Sequence, residues 1–60
     1  MKQVAGCDDG NCPKWFEDSD HYVIQGYTVD PAELGGLPHG ESAVRIPRSL
    51  VEEFLRKEGQ

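Results

Sequence analysis

The chain has 60 residues, 37% hydrophobic, 8% aromatic and 28% charged, with a formal net charge of −5. A chain this short makes one domain, residues 1–60, and buries only about 60% of the surface its unfolded form exposes, so a disulfide, a metal or an oligomer interface is a natural supplement to its core. The apolar content is too high for a disordered chain, the Lys and Arg excess of a nucleic-acid binder is missing, and no apolar run reaches the length of a membrane span.

Met1 to Gly6 lacks the apolar stretch of a signal peptide, which makes the cytoplasm the expected compartment. Residues 6–13, Gly-Cys-Asp-Asp-Gly-Asn-Cys-Pro, are dense in turn formers and predict a compact loop, with Asp9-Gly10 or Gly10-Asn11 supplying the tight turn. The spacing of Cys7 and Cys12 lets that loop fold back and bring the two sulfurs together. Three readings stay open: a disulfide, which a reducing cytosol disfavours; a zinc site completed by His21 and His39; or two free thiols.

Residues 14–17 are short and aromatic, Asp18-Ser19-Asp20 marks a turn, and residues 21–29 are rich in β-branched and aromatic types, so a hairpin is predicted. Tyr22, Ile24 and Thr28 share one parity of the second strand, and Val23, Gln25, Tyr27 and Val29 the other. Neither face is cleanly polar, and Gly26 is placed to mark a bulge that switches the buried face.

Asp30-Pro31-Ala32-Glu33 has the form of a capping box with Pro at the first helical position, but Gly35-Gly36 limits it to a short helical turn. Beyond a loop, residues 42–46 alternate as a third strand, with Val44 and Ile46 on one face. Pro47 or Ser49 opens the last element, Ser49 with Glu52 making a second capping box. Leu50, Val51, Phe54 and Leu55 fall on one helical face, Glu52 with Arg56 and Glu53 with Lys57 are spaced four apart, and Gly59 is placed as the stop. The fold expected is therefore α+β: a small antiparallel sheet of about three strands packed against one C-terminal helix. Its core sets the helical face against Val44, Ile46, Ile24 and one or two aromatics, with Trp15 the aromatic least expected inside.

Chemistry is harder to find. His21 and His39 are the side chains that titrate near neutrality without perturbation, and neither has a visible partner. Ser42, Ser49 and the two cysteines lack a recognisable nucleophile setting, no glycine-rich phosphate loop follows a strand, and the acidic turns do not match a calcium loop. No catalytic residue and no resident cofactor is expected, zinc being the alternative.

Acidity is concentrated toward the start: residues 1–30 carry six acids against Lys2 and Lys14, and residues 31–60 carry five against four bases. Trp15, Phe16, Asp18, Asp20 and Tyr22 gather aromatics and carboxylates in the predicted hairpin, the residue types that anchor an interface and steer a basic partner. The expected partner is a protein, either basic or a transcriptional regulator, rather than nucleic acid or membrane.

Two resemblances bear on this reading. Residues 40–50, Gly-Glu-Ser-Ala-Val-Arg-Ile-Pro-Arg-Ser-Leu, resemble the strand-Ile-Pro-helix segment of swapped-hairpin, AbrB- or MazE-type transcription factors and antitoxins. That likeness implies an alternative, a DNA-binding or antitoxin-like homodimer using Arg45 and Arg48. The wider layout, Gly-Cys-x4-Cys-Pro, then Val-Ile-Gln-Gly-Tyr, then Ala-Val-Arg-Ile-Pro-x-Ser-Leu, is similar to a group of short uncharacterised actinobacterial proteins. It implies a bacterial cytoplasmic protein associated with helix-turn-helix regulators.

Overall fold

The computed structural model describes residues 1–59. In chain order they form β1 (Lys2–Gly6), β2 (Lys14–Glu17), β3 (Tyr22–Gln25), β4 (Tyr27–Thr28), a 3-10 turn over Pro31–Leu34, β5 (Val44–Arg45) and α1 (Arg48–Glu58). β1, β2 and β3 make an antiparallel sheet with β2 in the middle, and β4 pairs with β5 in a separate two-stranded ladder. The α+β class follows: a small antiparallel sheet carries one C-terminal helix.

β1 is a strand that composition does not announce, since Val4 is its one β-branched residue. It exists because β2 offers an edge and the short loop of residues 7–13 returns the chain beside it. The register runs Lys2↔Glu17, Gln3↔Phe16, Ala5↔Trp15 and Gly6↔Lys14, which leaves Val4 as the extra residue of a bulge. Because a bulge breaks the alternation of faces, Ala5 at 1% exposure and its neighbour Val4 both join the same apolar cluster. Gly6 closes the strand at a φ of 105°, and a Cβ there would lie 2.6 Å from the Pro13 carbonyl oxygen, so glycine is required on both counts.

The hairpin of β2 and β3 forms as its sequence indicates. Lys14 faces Gln25, Trp15 faces Ile24, Phe16 faces Val23 and Glu17 faces Tyr22. The four residues between the strands are closed by the Asp18 backbone N–H donating to the His21 carbonyl at 2.8 Å, while Asp18 Oδ1 accepts from the Ser19 N–H at 2.8 Å. The carboxylate thus does the local work of an acidic turn.

The predicted strand over residues 21–29 is corrected to two, divided at Gly26. There β5 comes so close that a Cβ on residue 26 would stand 2.7 Å from the Arg45 carbonyl oxygen and 2.7 Å from Ile46 Cγ2. The chain consequently leaves β2 as its partner and pairs with β5, through Tyr27↔Arg45 and Thr28↔Val44, and the Val29 N–H extends the ladder to the Ala43 carbonyl at 3.1 Å. The predicted third strand over residues 42–46 contracts to Val44–Arg45, since Pro47 has no N–H to continue a ladder. Val44 is correspondingly 43% exposed and lies outside the core, whereas Ile46 packs on it.

The 3-10 turn starts as expected, with Asp30 accepting from the Ala32 N–H at 3.0 Å, and ends at Gly35. The capping box expected at Ser49 does not form. Pro47 is the helix cap residue and its carbonyl accepts the Leu50 N–H at 3.1 Å, which places Ser49 inside the first turn. Of the two expected ion pairs, Glu53–Lys57 closes at 2.9 Å, and among the described residues no Glu52–Arg56 bridge forms.

α1 lies on β1 and β2, and the stripe it buries is narrower than the expected face. Leu50 and Phe54 are buried and Val51 is half-buried, but Leu55 is 61% exposed, since the helix contacts chiefly β1 and β2. Trp15 corrects the other expectation. On the middle strand, in register with Ala5 and Ile24, it points under the helix and stacks on Phe54 with ring centroids 4.2 Å apart and planes within 2°. Tyr22 meets both rings edge-on, at 5.6 Å from Trp15 and 5.3 Å from Phe54. The core is thus Ala5, Leu50 and Phe54, with Val4, Trp15 and Ile46 around them.

Candidate functional site

The hairpin places the five proposed contact residues in three settings. Asp18 and Asp20 sit in the exposed tip and share an open groove of about 360 Å³ with Glu17, Ser19, His21 and Tyr22. Tyr22 is 53% exposed, one ring edge resting on the Trp15–Phe54 stack and the rest available at the groove. Trp15 is withdrawn from this surface by its place beneath the helix, and its Nε1 is buried with no hydrogen-bond partner among the described residues. Phe16 pairs with Val23 on the sheet face away from α1 and is half-buried. The surface that survives is therefore Asp18, Asp20 and Tyr22, with Glu17 and His21 joining them.

The carboxylates of this tip stand outside the ion pairs, as do most acids among the described residues. Among the described residues the ion pairs are Arg45–Glu33 at 3.0 Å and Lys57–Glu53 at 2.9 Å, so Glu17, Asp18 and Asp20 are without a basic partner. Arg45, the residue invoked for DNA contact, is already engaged, joining β5 to the 3-10 turn. Arg48 opens α1 and is exposed.

The second chemically distinctive region is the loop between β1 and β2. Cys7 and Cys12 stand at disulfide distance, with Cα atoms 6.3 Å apart, which supports the first of the three readings. His21 lies at the hairpin tip and His39 in a separate exposed turn, and no group of three His, Cys, Asp or Glu that could hold a metal ion occurs among the described residues.

Lys14, two residues beyond Cys12, is the residue the sequence reading missed. It is only 8% exposed, and its ammonium is enclosed by the loop, donating to the Asp9 carbonyl and, at 3.2 Å, to the Cys12 carbonyl. Cys12 Sγ lies 3.9 Å from the same nitrogen. A buried ammonium needs hydrogen-bond acceptors, and here backbone carbonyls supply them. Parity offered the available clue: Lys14 alternates with Trp15, so the strand directs it to the face opposite the helix, toward the loop.

Glu53 fastens this region to α1. Its Oε2 accepts the Gly6 backbone N–H at 3.1 Å and pairs with Lys57, and the hydrogen bond from Lys57, followed by that from Gly6, holds its carboxyl below the ordinary glutamate range. A groove of about 360 Å³ separates the disulfide from the first half of the helix.

Comparison with known proteins returns no matching family model, no matching curated protein and no matching solved structure.

Proposed function

We propose that this protein is a small accessory or regulatory module that acts by binding another protein through the acidic tip of its β2–β3 hairpin. The observation that carries this reading is the grouping of Glu17, Asp18 and Asp20, none of them ion-paired, around a half-exposed tyrosine. Unpaired carboxylates project a negative field that steers a basic surface into contact, and an exposed aromatic beside them supplies the apolar anchor. Trp15 serves this surface indirectly, by seating Tyr22.

The reading is of a bacterial protein without catalytic activity, in a cytoplasm where a Cys7–Cys12 bond is exchangeable rather than structural, and of a partner with Lys- and Arg-rich surface, such as a transcriptional regulator. The test is a quantitative pull-down from the cognate bacterial lysate with wild type, with the double variant Asp18→Lys/Asp20→Lys and with Tyr22→Ala, each verified as folded by circular dichroism. Partners recovered with wild type, lost with both variants and eluted by moderate salt are the expected result. Equal recovery with wild type and the charge-reversed protein refutes it.

A further inference from the structure

We propose that the Cys7–Cys12 disulfide is a polarised thiol–disulfide exchange site, at which a low-molecular-mass thiol attacks Cys7 and Cys12 leaves as a thiolate held against the Lys14 ammonium. The two sulfurs are not equivalent. Cys7 is exposed, whereas Cys12 is half-buried and has the enclosed Lys14 nitrogen 3.9 Å from its Sγ. That nitrogen is fixed in place by the Asp9 and Cys12 carbonyls, so a cation is already in position where negative charge would form. Among the described residues no Lys or Arg hydrogen-bonds to Cys7.

Exchange is faster when the departing sulfur is the better-stabilised thiolate, and a neighbouring Lys is one of the environments that stabilises a thiolate. Attack at Cys7 uses the accessible sulfur and places the leaving charge beside the ammonium. Attack at Cys12 would meet the half-buried sulfur and leave the charge on Cys7, away from it. Access is open: the groove in front of the disulfide is lined by Cys7, Cys12, Leu50, Glu52, Glu53 and Arg56, among others, and is wide enough for a small molecule.

The incoming thiolate forms a sulfur–sulfur bond to Cys7, the Cys7–Cys12 bond breaks, and its electron pair goes to Cys12. A second thiol resolves the mixed disulfide, so that two molecules of small thiol become one disulfide and the protein gains two electrons and two protons. Both sulfurs lie near the Asp9 carbonyl oxygen, at 3.6 Å for Cys7 and 3.4 Å for Cys12, which gives each reduced thiol a ready acceptor. This chemistry is independent of the hairpin surface, at the far end of β2 from the tip.

The experiment uses the whole oxidised protein. Substoichiometric glutathione is added, the reaction is quenched within seconds by an alkylating reagent, and peptide mass spectrometry assigns glutathione and alkyl label to each cysteine. Glutathione on Cys7 and alkyl on Cys12 should exceed the reverse by roughly threefold or more, because the sulfur whose thiolate is better stabilised leaves faster. Lys14→Arg should keep the bias and Lys14→Met should erase it. Equal labelling in wild type, a reversed pattern, or a purified protein whose mass does not change on reduction would each overturn the proposal, and wild-type mapping decides it even if Lys14→Met does not fold.

Discussion

Phe54 is the residue on which the helix-to-sheet contact turns, and its replacement gives the sharpest test of the architecture. Its ring stacks on Trp15 at 4.2 Å, receives the edge of Tyr22 at 5.3 Å and is buried beside Leu50 and Ala5. Phe54→Leu keeps an apolar side chain in place but removes two aromatic contacts, each contributing about 0.5 to 1.5 kcal/mol beyond area burial, for a loss of roughly 1 to 3 kcal/mol. In a domain of this size each kcal/mol shifts the melting temperature by about 4 to 8 °C. Phe54→Ala also leaves a cavity and should cost about 3 to 5 kcal/mol, against a whole stability of roughly 3 to 9 kcal/mol for 60 residues. The assay is thermal unfolding of the oxidised protein followed by far-ultraviolet dichroism and by Trp15 fluorescence, with Leu55→Ala as control because that side chain is 61% exposed. A cooperative transition lowered in Phe54→Leu, lost in Phe54→Ala and unmoved in Leu55→Ala is expected. A Phe54→Leu protein melting with wild type, or a Leu55→Ala protein melting below it, refutes the packing described.

Three further predictions concern the elements around that core. Cys7 and Cys12, five positions apart, close a short loop, so their reduction, or the paired change to serine, should lower stability by about 2 kcal/mol, read as a shift in urea midpoint; an unchanged midpoint would mean the bond constrains nothing. Glu53 has a folded-state pKa below its ordinary value, chiefly through the Lys57 hydrogen bond and then the Gly6 N–H. Its contribution is therefore complete above the ordinary glutamate value and is lost as pH falls through the lowered one, so acidification across that window should weaken wild type more than Glu53→Gln. Urea midpoints measured at a series of pH values check this, and parallel curves for the two proteins exclude it. Gly26→Ala drives a Cβ to 2.7 Å from the Arg45 carbonyl oxygen and should cost about 1 to 3 kcal/mol by forcing β4 and β5 apart. Its signature is faster amide exchange at Val29, whose N–H bonds to Ala43; exchange as slow as in wild type would show that the ladder tolerates the methyl group.

The elements with strong local grammar were legible without a structure. Asp18-Ser19-Asp20 between two aromatic and β-branched runs specifies a hairpin because turn residues and strand propensity act over neighbouring positions. Asp30-Pro31 followed by Gly35-Gly36 specifies one short turn for the same reason, and the spacing of Leu50 and Phe54 specifies a helix with a buried stripe. The two cysteines were legible as a pair, though their state was not, since spacing shows that sulfurs can meet and not that they do.

What escaped the sequence depends on distant partners. β1 has little propensity of its own and is a strand because β2 offers it an edge. Trp15 and Leu55 exchanged their expected places because the helix rests chiefly on β1 and β2, and which flank they leave uncovered is a matter of docking. Lys14 is buried because the loop before it folds over its ammonium. Local order along this chain is thus written in its residues, whereas the choice of which apolar groups are covered and which charges are enclosed was made by tertiary contact, since burial is a property of where a residue's neighbours stand and not of the residue alone.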